Sequence, residues 1–224
     1  MKPCNILDQA ATPDGGFLQL SERDGDFVIS HDGHELMHSR AVASETLLGS
    51  IGMADLKPDG ENRVLIGGLG LGFTLKSVLE SAGTDSIVEV VELMPAVVEW
   101  NRQQLRALNG KLLENSRVTV RVQDVTRSIR MAKPRTYDSI MLDVDNGPIA
   151  MVADGNTSLY SDTGVEMIRR ALKPGGRAFI WSASHDAQFE SRLKKAHMEF
   201  ETIAAKAHEQ AGSAKYLIYV LKPS

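Results

Sequence analysis

The stretch Arg63-Val64-Leu65-Ile66-Gly67-Gly68-Leu69-Gly70-Leu71-Gly72 decides the fold. A short apolar run ends in glycines, and a helical pattern follows over residues 74–82. Glycines at such a junction let the chain turn sharply and let a ligand approach main-chain atoms closely. Outward from this point, residues 86–91 read as a second strand and 95–108 as a second helix. Pro95 lies in the first turn of that helix, where proline fits. Residues 118–122 and 139–142 read as further strands, 164–172 as a helix and 177–181 as a strand. The turn Leu172-Lys173-Pro174-Gly175-Gly176 separates those last two elements.

Strands alternating with helices predict a doubly wound, mostly parallel sheet covered on both faces. The C-terminus breaks that rhythm. Residues 200–206 and 216–221 are two strand patterns separated by a polar, glycine-containing loop too short for a crossover helix, so they pair as an antiparallel hairpin. A seven-stranded α/β sheet finished in this way is the layout of the class I S-adenosylmethionine-dependent methyltransferase fold. Before residue 60 the pattern differs. Residues 1–15 read as a loose arm. Phe17-Leu18-Gln19-Leu20-Ser21 and Asp26-Phe27-Val28-Ile29-Ser30 flank an Asp-Gly turn, the signature of a β-hairpin. A helix over 39–51 and the breaker Lys57-Pro58-Asp59-Gly60 complete an N-terminal appendage over 1–59, with an S-adenosyl-cofactor-binding transferase domain over 60–224.

Composition narrows the function. The 224 residues carry 25 Lys+Arg against 29 Asp+Glu, a net charge of −4, with 42% hydrophobic residues. That apolar fraction supports a real core. The acidic balance argues against a nucleic-acid partner, which wants a basic stripe. No apolar run approaches the about 18 residues of a membrane span. The first residues lack a secretory apolar stretch, and the single cysteine, Cys4, excludes an internal disulfide. A cytoplasmic protein with no metal is expected. His31, His34 and His38 read as solvated histidines.

Glu92 stands at the end of the second strand, twenty residues after Gly72, where a carboxylate can accept both ribose hydroxyls of a nucleoside cofactor. The spacing Gly68-x-Gly70-x-Gly72 differs from the G-x-G-x-x-G of dinucleotide binders and favours a sulfonium cofactor. Asp124 ends the third strand, placed to bond an adenine amino group or, alternatively, to cap the following helix. Asp143-Val144-Asp145-Asn146-Gly147-Pro148 follows the fourth strand. Ligands in open α/β sheets bind beyond the carboxyl ends of strands, so Asp143 should face the cleft. An amine is protonated at neutral pH, and a carboxylate that binds the ammonium and takes its proton suits an attack on a sulfonium carbon. The alternative is a turn-forming role before Asn146-Gly147, a reading that fits Asp145 better than Asp143.

At these residues the sequence resembles the polyamine aminopropyltransferases, or spermidine synthases, and their bacterial spermidine-synthase-like relatives. The resemblance spans residues 17–221 and includes the hairpin, the glycine loop, Val91-Glu92-Leu93-Met94-Pro95-Ala96-Val97-Val98, Tyr137-Asp138-Ser139-Ile140-Met141-Leu142-Asp143 and Leu159-Tyr160-Ser161. It implies transfer of an aminopropyl group from an S-adenosyl donor to a small amine. Asp143 then matches the carboxylate that orients and helps deprotonate that amine, with Asp145 in the same loop. Tyr160 matches a family tyrosine beyond a mobile loop, here residues 146–158, that closes over the substrate. The resemblance also favours a homodimer with the hairpin at its interface.

Two departures stand out. The family loop G-G-G-D-G-G carries an aspartate for the donor's amino end, whereas Leu69, Gly70 and Leu71 offer no carboxylate. The loop after the fourth strand lacks the family's Asp-Ser-x-Asp-Pro. Three readings stay open: an aminopropyltransferase using decarboxylated S-adenosylmethionine, a methyltransferase using S-adenosylmethionine on a small nucleophile, and a non-catalytic relative of the fold. Retention of Glu92, Asp124 and Asp143 argues against the last.

Overall fold

The computed structural model describes residues 4–13, 15–144 and 156–224. Four strands open the chain: β1 (Asn5–Ala11), β2 (Phe17–Arg23), β3 (Asp26–His31) and β4 (His34–His38). They form an antiparallel sheet in chain order. The expected hairpin is β2–β3, turned through Asp24 and Gly25 at positive φ. It is larger than the sequence suggests. Residues 5–11, read as a loose arm, are a strand because they complete the free edge of β2 in register from Asn5↔Glu22 to Ala11↔Phe17. The histidines likewise sit on strands, with His31 paired to His34. The described residues contain no group of metal-ligating side chains.

Helix α1 (Ala43–Met53) follows, starting four residues later than expected because the chain first turns after β4, with the Ala41 N–H donating to the His38 carbonyl at 2.9 Å. Then come β5 (Arg63–Gly67), α2 (Phe73–Ser81), β6 (Ile87–Glu92), α3 (Pro95–Arg102), α4 (Arg106–Asn109), β7 (Val118–Val122), α5 (Val125–Met131), β8 (Tyr137–Leu142), α6 (Asn156–Leu159), α7 (Asp162–Ala171), β9 (Leu172–Ser182), α8 (Ala187–Lys195), β10 (Met198–Ala205) and β11 (Tyr216–Pro223). The single helix expected over 95–108 is broken in two where Gln103 leaves helical geometry. The Lys-Pro-Gly-Gly turn forms the irregular start of β9, where its register against β8 shifts.

The second sheet has the order β10-β11-β9-β8-β5-β6-β7. β5, β6, β7, β8 and β9 run parallel, and β11 inserts antiparallel between β9 and β10. The chain winds from β5 outward to β7, then returns to β8 on the other side of β5. The crevice between β5 and β8 is therefore the topological switch point, where open α/β sheets bind ligands.

Alternating side chains of the strands build two cores. Val64, Ile66, Val90 and Met141 face α1, α2 and α3, and this core extends to Leu18, Leu20, Phe27 and Ile29 of the N-terminal sheet. Leu65, Val91, Ile140 and Leu142 face α5, α7 and α8 on the other side. Thus one face of the small sheet is buried against the main body. Trp100 of α3, fully buried, donates its indole N–H to Asp8 of β1 at 2.8 Å, which ties the edge strand down. No helix among the described residues is long and apolar enough to cross a membrane.

Helix α1 crosses the main sheet at close range. A Cβ on Gly49 would lie 2.6 Å from the Cβ of Ser77 and 2.7 Å from the carbonyl of Thr74, so glycine sets the spacing between α1 and α2. The Ser77 hydroxyl donates to the Thr46 carbonyl at 2.8 Å across the same seam. Because one of the colliding atoms is backbone, Gly49→Ala should force the helices apart and destabilise the fold by about 1–3 kcal/mol, the usual cost of overpacking. Urea denaturation should show a lower midpoint at unchanged slope; an unchanged midpoint would mean that the seam has slack.

Candidate active site

The glycine loop begins where β5 ends. Gly68, Gly70 and Gly72 all have positive φ, at 89°, 48° and 88°. The protein's own atoms also crowd out a side chain at these positions. A Cβ on Gly68 would collide with the backbone carbonyl of Asp143. One on Gly70 would lie 2.5 Å from Sδ of Met37, on β4 of the small sheet, and one on Gly72 would lie 2.8 Å from Oδ1 of Asn101. The loop is thus pressed between the end of β8, the N-terminal sheet and α3. Asn101 is buried and donates through Nδ2 to the carbonyls of Gly70 (2.8 Å) and Val97 (2.9 Å). Its role was not legible beforehand, since an asparagine inside a helix carries no distinctive signal.

Glu92, at the end of β6, is 8% exposed. Its Oε2 accepts the Leu69 N–H and its Oε1 the Met94 N–H, both at 2.8 Å. One carboxylate therefore fixes the turn of the glycine loop and the entry to α3. Beside it, Leu93 is 43% exposed, and Val122, paired with Glu92 across the β6–β7 ladder, is 50% exposed. Two large apolar side chains left open beside a buried carboxylate make a platform suited to a flat apolar ring. Sequence patterning missed them, because an apolar residue at a strand end reads as core.

Asp124 caps α5, with its Oδ1 accepting the Thr126 N–H at 2.7 Å, which is the alternative reading of that residue. Asp124 stands two residues beyond Val122, the last residue of β7. Asp143 follows β8 across the switch point. Its N–H donates to the Gly67 carbonyl at 2.9 Å, and its Oδ2 lies 3.4 Å from the hydroxyl of Thr74 in the first turn of α2. The structure thus gathers Gly68, Gly70, Gly72, Glu92, Asp124 and Asp143 at the carboxyl ends of β5, β6, β7 and β8. Tyr160 is placed elsewhere. It is 1% exposed, packed edge-on against Phe189 with centroids 5.6 Å apart, in the core on the far face of the sheet from Thr74. Asp145 and most of the loop expected over 146–158 lie outside the described residues.

With this geometry in place, comparison with known proteins gives a consistent picture. The architecture is the methyltransferase-like α/β fold of the spermidine synthases. The spermidine synthase of Thermotoga maritima superposes with a TM-score of 0.70 at 17% identity, covering 97% of this chain and 72% of that one. A probable spermidine synthase from Corynebacterium glutamicum gives 0.69 at 16% identity, covering 100% and 81%. No family model matches the chain. In sequence, the polyamine aminopropyltransferase of Mycobacterium tuberculosis is 34% identical over 128 residues, 56% of this chain and 24% of that protein. Polyamine aminopropyltransferase 2 of Streptomyces coelicolor is 30% identical over 128 residues, 22% of its length. The match thus spans about a quarter of the curated relatives. The resemblance read from the sequence is borne out: the chain is related to the polyamine aminopropyltransferases.

The bonding of Glu92 sets a direct test of the loop. Glu92→Gln replaces one accepting oxygen with an NH2 group, which would face the N–H of Leu69 or Met94. One buried donor is then left without a partner, at a cost of about 1–3 kcal/mol. Thermal denaturation should register this loss without any ligand; an unchanged midpoint would mean that the loop does not depend on the carboxylate.

Proposed function

We propose that this chain transfers an aminopropyl group from decarboxylated S-adenosylmethionine to a small primary amine. The observation that carries the reading is the position of Asp143. It is a carboxylate at the switch point, across the β5–β8 crevice from the glycine loop and on the same sheet end as Glu92. In this reading the ribose hydroxyls bond the carboxylate of Glu92. The adenine lies on Leu93 and Val122, with its amino group at Asp124. The glycine loop supports the donor's sulfonium side through its backbone.

Asp143 binds the acceptor's ammonium and takes its proton. The neutral nitrogen then attacks the methylene carbon attached to sulfur. A C–N bond forms and the C–S bond breaks, its electron pair returns to sulfur, and neutral methylthioadenosine leaves. No metal or redox partner enters the balance. The absence of a carboxylate at Leu69, Gly70 and Leu71 is the observation on the side of a second reading, methyl transfer from intact S-adenosylmethionine.

We also propose a homodimer. Ile6, Leu7 and Phe17 on β1 and β2 are large apolar residues left exposed at the two ends of the β1–β2 ladder, surface that a second copy would cover. Light scattering at micromolar concentration should give twice the chain mass, and Phe17→Glu should shift it to the monomer. A clean monomer for the unaltered protein would refute this assembly.

The catalytic assignment is tested at Asp143. Asp143→Asn keeps the shape and removes both the base and the counter-charge. Turnover, followed as methylthioadenosine released from decarboxylated S-adenosylmethionine and 1,4-diaminobutane, should fall by about 10²–10⁴-fold, the range of general acid–base help. Nucleoside affinity should be little changed. An Asn variant that turns over at the wild-type rate would leave Asp143 as a turn residue only.

A further inference from the structure

The chain as a whole is acidic, yet residues 117–135 carry six cations, Arg117, Arg121, Arg127, Arg130, Lys133 and Arg135, against the single carboxylate of Asp124. The structure gathers the last four on one flank, where α5 and the turn into β8 meet the C-terminus of α7. Nη2 of Arg170 donates to the carbonyls of Arg130 at 2.7 Å and Ala132 at 3.2 Å. In return the Arg135 N–H donates to the Arg170 carbonyl at 2.9 Å, and the Thr136 N–H to that of Ala171 at 2.8 Å. The Thr136 hydroxyl closes the turn on the Lys133 carbonyl at 2.6 Å. Arg127, Arg130 and Met131 share the outer face of α5, being three and four residues apart. All three are exposed, as are Lys133 and Arg135 on the turn that follows.

Among the described residues, none of Arg127, Arg130, Lys133 and Arg135 makes an ion pair. The carboxylates of the adjoining elements are already engaged: Glu166 with Arg169 at 2.7 Å, Asp138 with Lys173 at 2.6 Å and Glu89 with Arg121 at 3.0 Å. Arg170 donates to neutral carbonyls, so its charge adds to the patch. Local stability does not account for this arrangement. Arg127 stands in the first turn of α5, the end where the helix dipole disfavours a cation. Arg135 has a φ of 56°, a left-handed conformation that glycine would hold at lower cost. Met131, the last residue of α5, is 70% exposed amid these charges, an apolar side chain that the core does not use.

We propose that this flank is a docking surface for an anionic lipid bilayer, with the cations bonding headgroup phosphates and Met131 entering the interface between them. A guanidinium pairs with phosphate oxygens through two parallel bonds, and each cation held near an anionic leaflet adds to the attraction. Met131 favours a bilayer over a nucleic acid, because a phosphate backbone offers no apolar layer for a thioether to enter. The turn at the centre of the patch precedes β8, whereas Asp143 follows the far end of that strand, about 20 Å away. Contact at the turn therefore does not cover Asp143. The inference goes beyond the transferase reading and does not depend on it.

The test is co-sedimentation of the full chain with vesicles of phosphatidylcholine alone and of phosphatidylcholine mixed with phosphatidylglycerol. At about 0.05 M salt, where screening is weak, the mixed vesicles should capture the protein and the neutral ones should not. Lys133→Ala should weaken capture about fivefold, the share of one cation at an anionic surface. Arg135→Gly should do the same with the thermal midpoint kept or raised, which separates binding from folding. Met131→Ser should weaken capture without altering its salt dependence, since it removes no charge. Wild-type protein left in solution beside the mixed vesicles overturns the proposal, and so does an Arg135→Gly variant captured as fully as the wild type. Equally tight binding to a DNA duplex, unchanged by Met131→Ser, also overturns it, since that pattern marks a general polyanion contact.

Discussion

The contact on which the site depends is the approach of Gly68 to the end of β8. The Asp143 N–H donates to the Gly67 carbonyl at 2.9 Å, and the Asp143 carbonyl lies where a Cβ on Gly68 would have to be. Parallel strands are joined by crossovers and never by tight turns, so β5 and β8 meet only through their ladder and through this junction. Any side chain at residue 68 would push the glycine loop away from β8 and open the crevice that brings Asp143 near Glu92. Positive φ at Gly68 and Gly72 follows from the same geometry, because the loop must fold back onto α2 within five residues of the strand end.

Glu92 and Asn101 then hold the loop from the β6 side. Their bonds to Leu69, Met94 and Gly70 make the loop rigid before any ligand arrives. Such preorganisation is what an active site needs, since a loop ordered only by the ligand would spend binding free energy on its own ordering. The N-terminal sheet adds a third wall. Met37 of β4 meets Gly70, and Leu18 and Leu20 of β2 share a core with Leu69 and Leu71. The small sheet is therefore structural support for the loop.

Much of this was legible in the chain itself. The strand–glycine–helix junction, the acidic residue ending β6 and the aspartate after β8 mark their positions because strand ends are visible as breaks in apolar runs. The C-terminal hairpin was visible because no helix fits between its strands. Three features were hidden for physical reasons. β1 is almost wholly exposed and carries no alternating pattern, so only pairing with β2 makes it a strand. Tyr160 matches a family motif, yet the packing of Phe189 and the far core claims its ring. The Thr74 hydroxyl meets Oδ2 of Asp143 across sixty-nine residues, a tertiary relation that no local motif encodes.

The central claim, a cleft that accepts an S-adenosyl donor lacking its carboxylate, is tested most directly by calorimetry. Decarboxylated S-adenosylmethionine, intact S-adenosylmethionine and methylthioadenosine would be titrated side by side into the same protein. The account predicts that the decarboxylated donor and methylthioadenosine bind, and that intact S-adenosylmethionine binds more weakly, because Asp143 repels its carboxylate. Tighter binding of intact S-adenosylmethionine than of the decarboxylated form would contradict it and place the chain among methyltransferases.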